Sequence, residues 1–164
     1  MCISENGSVE TAVIEGPVEP STVSWPSDCG AEAVFLGRTR VESHPQFGRL
    51  VLLEYEVYEP MAVQLLAKMA RDAVYRFGCR AVRIVHAKGR VEPGQASIVI
   101  QVATPHRIQA FEACRYLIDR LKHELPIWKL EIWERGRTHV TGCCAHHPDG
   151  EMESDSETSM KYRT

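Results

Sequence analysis

The sequence predicts a single α+β domain, and three observations carry that prediction. Short apolar or alternating segments bounded by turn residues read as strands. Two longer stretches carry apolar residues at helical spacing behind a proline. No internal repeat and no second composition block divides the 164 residues. The order of the main elements is strand, strand, helix, strand, strand, helix, strand.

The first ten residues are polar and expected to be disordered, and Thr11 to Val18 (TAVIEGPV) reads as a short edge strand stopped by Gly16 and Pro17. EPSTVSWPSDCG is a turn-rich connection. From Ala31 an apolar strand, AEAVFLG, ends at Gly37 and releases Arg38, Thr39 and Arg40, and ESHPQFGR then loops to a second strand at Leu50 to Tyr58. Glu59-Pro60 opens the first helix, whose stripe is Met61, Leu65, Met69 and Ala73 with Leu66, Ala70 and Val74, and Gly78 stops it. Ala81 to His86 and Ser97 to Ala103 are strands around the turn KGRVEPGQ. Thr104 is the expected N-cap and Pro105 the first residue of the second helix, with Ile108, Phe111, Cys114 or Ala113, Leu117, Ile118 and Leu121 as its buried face until Pro126. Ile127 to Trp133 is the last strand. The domain is therefore expected over residues 11–142, followed by a disordered acidic tail, 143–164, that lacks periodicity.

Composition excludes several classes. With 44% hydrophobic and 25% charged residues the chain is an ordinary globular one. No stretch approaches the roughly 18 apolar residues of a membrane span, and MCISENGSVE has no basic or apolar leader region. The six cysteines are scattered without a CxxC, which fits a reducing compartment, the cytosol, rather than a disulfide framework. Net charge is −3, unevenly spread. Residues 1–28 carry five acids and no Lys or Arg, and residues 143–164 carry five acids against Lys161 and Arg163, so the segment between is basic. A basic body between acidic ends suits an anionic ligand or an acidic partner, but no aromatic-rich basic run supports nucleic acid.

Three groups of residues carry candidate chemistry. Thr104-Pro105-His106-Arg107 places His and Arg at a helix start, where free N–H groups and the positive dipole end favour an anion. Arg38-Thr39-Arg40 leaves a strand into a loop; Arg suits phosphate, although two such arginines are more often surface charge. Lys122 and Lys129 flank the Pro126 turn in LKHELPIWKLE, and a lysine beside Ile127, Trp128 and Leu130 can act as a base or nucleophile once desolvated. Cys143-Cys144-Ala145-His146-His147 lacks zinc-site spacing, so no metal is expected there. Cys114 is expected in the core rather than as a nucleophile.

Taken in order, GAEAVFLGRTR, LEYEVYEPMA, VEPGQASIVIQVATPHR and FEACRYLIDRLKHELPIWKLEIWE resemble the large, catalytic subunit of molybdopterin synthase, from about Cys29 to about Gly142. The combination of FxGxxR, HR and LKxxxPxWKxE is specific. The resemblance implies an α/β-hammerhead fold with a mixed sheet and two main helices, a homodimer, and a small ubiquitin-like subunit at each end of that dimer, giving a heterotetramer. The small subunit's C-terminal Gly-Gly thiocarboxylate would supply sulfur to cyclic pyranopterin monophosphate, with no metal or organic cofactor. The family's substrate and catalytic positions fall on Arg38, Thr39, Arg40, His106, Arg107, Lys122, Lys129, Leu130 and Glu131. Three departures stand out: Thr104-Pro105 replaces a common Ser-Ala, His139 stands where many members carry tryptophan, and the basic residue that members often carry further on is absent near Cys143.

The resemblance implies roles as well. Arg40 and Arg107 suit the anion, His106 proton transfer, Lys122 catalysis, and Lys129 substrate contact with acid/base support. The alternative is a non-catalytic anion-binding scaffold of the same fold, against which both lysines and the His-Arg pair argue. His106 and Lys122 lie 16 residues apart on one expected helix, about 24 Å at about 1.5 Å per residue. One small pterin cannot touch both from one chain, so a site shared across a twofold dimer is expected.

Overall fold

The strand and helix patterns resolve into β1 (Ser8–Glu15), β2 (Ala31–Arg38), β3 (Ser43–His44), β4 (Gly48–Val57), α1 (Glu59–Phe77), β5 (Ala81–Val91), β6 (Ala96–Thr104), α2 (Arg107–Glu124), β7 (Ile127–Trp133) and β8 (Gly136–His139). The computed structural model describes residues 7–22 and 24–140. The sheet runs β2-β6-β5-β4-β7-β8, with β3 on β4 and β1 on β5. Only the β1–β5 pair among these is parallel, so the sheet is mixed and the class is the α+β one that the sequence predicts.

β5 is the long strand that joins the two halves. Ala81 to Lys88 lie beside β1, and Gly89 to Val91 lie beside β4. The exchange of partners falls at Gly89, which has φ 71°. Only glycine adopts that backbone cheaply.

Both helices cover one face. α1 contributes Ala62, Leu66, Met69, Ala70, Ala73 and Val74, and it ends at Gly78, whose φ of 65° makes a left-handed cap. α2 contributes Ala110, Ala113, Cys114, Leu117 and Leu121. These pack on Ala33, Val82, Ile84, Ile98, Ile100 and Val102 of the sheet. Large side chains such as Leu66, Ile100 and Leu117 contribute roughly 1.5–3 kcal/mol each when fully buried. On the other face Val85, Ala87, Val91 and Val99 meet Val18. β6 is buried at every residue because both faces are covered. Cys114 lies in this core, and burial pushes its thiol up to about 11.

Several sequence expectations need correction. β1 begins at Ser8, so residues 8–10 are ordered against Ala81 to Arg83 of β5. It stops at Glu15, and Val18 instead donates its N–H to the Ala96 carbonyl at 2.9 Å. Lys88 to Val91 belong to β5 and not to the turn. The helix start also moves: Thr104 closes β6 opposite Ala31, its hydroxyl donates to the His106 carbonyl at 2.8 Å, and α2 begins at Arg107. Met61, Ile108 and Phe111, expected inside, are 49%, 60% and 68% exposed. Small residues let the helices sit close, so Ala62 faces the core in place of Met61, and Ala110 joins the expected Ala113, Cys114, Leu117 and Leu121 while Ile108 and Phe111 turn outward. The short polar strands β3 and β8 were not expected at all. The tail 143–164 and the Cys143–His147 cluster lie outside the described residues.

Candidate functional site

α2 ends where Pro126 forbids another turn. Leu125 donates its N–H to Leu121 O at 3.2 Å, Ile127 to Leu125 O at 2.8 Å, and Tyr58 to Pro126 O at 3.2 Å, so the chain reverses tightly and enters β7 beside β4. The reversal places Lys122 and Lys129 on one open pocket, with Tyr55, His86, Leu121, Leu125 and Ile127 as its other walls. Lys122 and Lys129 thus both line one largely apolar cleft, and a cation beside such walls acts on an anion more strongly than in open water.

Alternation along β7 sets the neighbours of Lys129. Glu131 shares its face, with Oε1 3.4 Å from Lys129 Nζ and both side chains about four-fifths covered. Leu130 takes the opposite face, opposite Glu54 of β4, and does not line the pocket.

His86 is a pocket residue that the sequence reading did not single out. It follows Val82 and Ile84 on the helix-facing side of β5, and that break in an apolar alternation is the signal that marks it. Its Nδ1 lies 2.7 Å from the Ala87 carbonyl. A carbonyl only accepts, so the proton sits on Nδ1 and Nε2 keeps its lone pair. Burial pushes the imidazole below its ordinary value, against a smaller opposing effect of that hydrogen bond. Tyr55 meets the ring edge-on at 5.5 Å.

The remaining expected residues lie elsewhere on the chain. Arg38 to Arg40 wrap the β5–β6 turn: Arg38 Nη1 donates to Gly94 O at 2.8 Å, and Thr39 exchanges backbone bonds with Gln95 O and Gly94 N. Thr39 is buried, and Arg40 is exposed beside Glu42 at 2.8 Å. His106 and Arg107 stand exposed at the start of α2, with His106 in extended geometry at the N-cap. α2 runs unbroken for 18 residues from Arg107 to Glu124, about 27 Å, so neither His106 nor Arg107 lines the lysine pocket. Two buried side-chain oxygens without a partner among the described residues, Thr39 Oγ1 and Gln109 Oε1, fall within or next to these two segments. No group of three or more His, Cys, Asp or Glu able to hold a metal occurs among the described residues, and no helix there is long and apolar enough to cross a membrane.

The model of the MoaE protein family matches residues 13–124. The molybdopterin synthase catalytic subunit of Bacillus subtilis is 43% identical over 113 residues, which are 69% of this chain and 71% of that one. The human catalytic subunit is 38% identical over 110 residues, 67% of this chain and 57% of its own length. The crystal structure of molybdopterin synthase from Staphylococcus aureus superimposes with a TM-score of 0.68 at 33% identity, covering 77% of this chain and 96% of that one. With the family model spanning most of the described residues and the two lysines meeting on one pocket, the chain belongs to the MoaE family, the catalytic subunits of molybdopterin synthase.

Proposed function

We propose that the Lys122–Lys129 pocket is where sulfur passes from the C-terminal thiocarboxylate of a small ubiquitin-like subunit to cyclic pyranopterin monophosphate. The observation that carries this reading is the convergence of two lysines from α2 and β7 on one apolar-walled cleft. A solved complex of subunits 1 and 2 of the molybdopterin-converting factor of Helicobacter pylori shares this fold, with a TM-score of 0.64 at 22% identity. That complex holds two different subunits, which supports a second chain as a partner here.

In this reading the thiocarboxylate sulfur bonds to an activated carbon of the pterin's side ring while that carbon's bond to oxygen breaks, the oxygen leaving as water or as an oxygen of the opened cyclic phosphate. Water then attacks the acyl carbon, the acyl–sulfur bond breaks, the small subunit leaves as a carboxylate, and the sulfur stays on the pterin as a thiolate. A second donor repeats the step to complete the dithiolene. Each acyl cleavage passes through an oxyanion, which the Lys122 ammonium is suited to stabilise. Lys129 contacts substrate and supports proton transfer, with Glu131 as its counter-ion.

The phosphate belongs with Arg107 and Arg40, and proton transfer near neutral pH with His106. Because α2 is unbroken, His106 and Arg107 come from a second copy of the chain, in a homodimer whose two sites are each shared. Mixing this chain with the thiocarboxylated small subunit and the pterin substrate should yield molybdopterin. Substrate binding without any product would favour the non-catalytic scaffold instead.

A further inference from the structure

Lys129 sits at the end of a chain of polar contacts that starts at Trp133 of β7 and passes through Thr138 of β8. Lys129, Glu131 and Trp133 alternate onto one face of β7, and Thr138 of β8 lies opposite Glu131. Trp133 Nε1 is 2.7 Å from Thr138 Oγ1, and Thr138 Oγ1 is 2.9 Å from Glu131 Oε2. The other carboxylate oxygen, Oε1, faces Lys129 Nζ at 3.4 Å. An indole N–H only donates and an ionised carboxylate only accepts, so the hydroxyl must take from Trp133 and give to Glu131.

The start of the chain is rigid. Trp133 is buried with Leu50 and Leu53. The β7–β8 turn is tied to the start of β4 by Glu134 N–H to Arg49 O and Arg135 N–H to Phe47 O, both 3.0 Å. The Glu134 carboxylate also accepts from Arg49 N at 3.1 Å and Nε at 2.9 Å.

We propose that Thr138 is a positioning residue for Lys129: its hydroxyl aims the Glu131 carboxylate so that the second oxygen holds the lysine ammonium at the pocket. A lysine on its flexible four-carbon stem samples many rotamers, and a carboxylate fixed through its far oxygen narrows them. Thr138 itself does not line the pocket. This inference rests on the reading of Lys129 as part of the sulfur-transfer site.

The test is steady-state turnover of the full chain, reconstituted with thiocarboxylated small subunit and pterin substrate. Thr138→Val keeps the shape and removes the hydroxyl; kcat should fall about tenfold, the order expected when a reacting group is misplaced, with KM for the pterin within about twofold. Thr138→Ser should restore kcat. In a Glu131→Ala background the same Thr138→Val change should cost less than about twofold, because the carboxylate it aims is gone. An equal loss in both backgrounds, wild-type kcat in Thr138→Val, or no rescue by serine overturns the proposal.

Lys129→Ala separates the two levels of the argument. If it turns over like wild type, the reading of the pocket fails; if it is impaired while Thr138→Val is not, only the positioning role fails. Should Thr138→Val unfold because the buried Trp133 N–H loses its acceptor, Trp133→Phe/Thr138→Val removes that donor and carries the same comparison.

Discussion

Arg107 and Lys122 stand at opposite ends of one unbroken helix, α2, with Lys122 on the pocket that Lys129 also lines and Arg107 exposed in the first turn. The separation puts Arg107 and Lys122 at the two ends of α2, and substitutions at the two ends should fail in different ways.

Lys122→Ala should lower sulfur transfer by about 100-fold or more, since it removes a charge aimed at the developing oxyanion. Lys122 is exposed in the last turn of α2, so stability should change by no more than about 0.5 kcal/mol. Turnover and a melting curve measured on the same preparation check both halves, and a wild-type rate would remove Lys122 from the mechanism.

Arg107→Ala should act on binding. Losing one charge-assisted contact to a phosphate should raise KM for the pterin about tenfold, with kcat less affected. Added salt screens that same attraction. The variant's KM should therefore depend less steeply on ionic strength than the wild type's, and parallel salt curves would show that Arg107 does not meet the anion.

How far the sequence reveals this site follows from what kind of signal each residue leaves. The lysines were legible because Pro126 announces a reversal between a helix and a strand, and such a reversal brings flanking residues together. His86 was not, since one histidine inside VRIVHAKG matches no motif, and only the register of β5 turns it toward the helices. β8 was missed because Gly136–His139 is short and polar, yet it supplies Thr138 to Glu131. The stripe of α2 is legible at Ala113, Cys114, Leu117 and Leu121 but not at its start, where periodicity alone does not show that the small Ala110 approaches the sheet. That leaves Ile108 and Phe111 outward beside Arg107.

His86 predicts a pH dependence of stability. Burial holds its imidazole neutral in the folded chain, below the ordinary value of 6.5. In the unfolded chain it takes up a proton as pH falls past that value, so the unfolded state binds more protons and stability drops toward acid. Between about pH 7.5 and about pH 5.5 the melting temperature should therefore fall, and His86→Gln, which cannot be protonated, should fall less steeply. Identical slopes in the two chains would mean that His86 contributes nothing in this window.

Complementation tests the shared site most directly. In the proposed homodimer, Lys122→Ala removes the lysine proposed as catalytic from both pockets, and His106→Ala/Arg107→Ala removes from both the groups proposed for the anion and for proton transfer. A heterodimer of the two chains has one site built from the lysine of the second chain and the His-Arg pair of the first, all unmutated. Its other site carries every substitution. Two inactive preparations, mixed under conditions that exchange subunits, should thus recover up to about half the wild-type activity per heterodimer. Verified heterodimers without activity would mean that His106, Arg107 and Lys122 serve one pocket within one chain. That outcome requires a break in α2, which runs as continuous helix from Arg107 to Glu124.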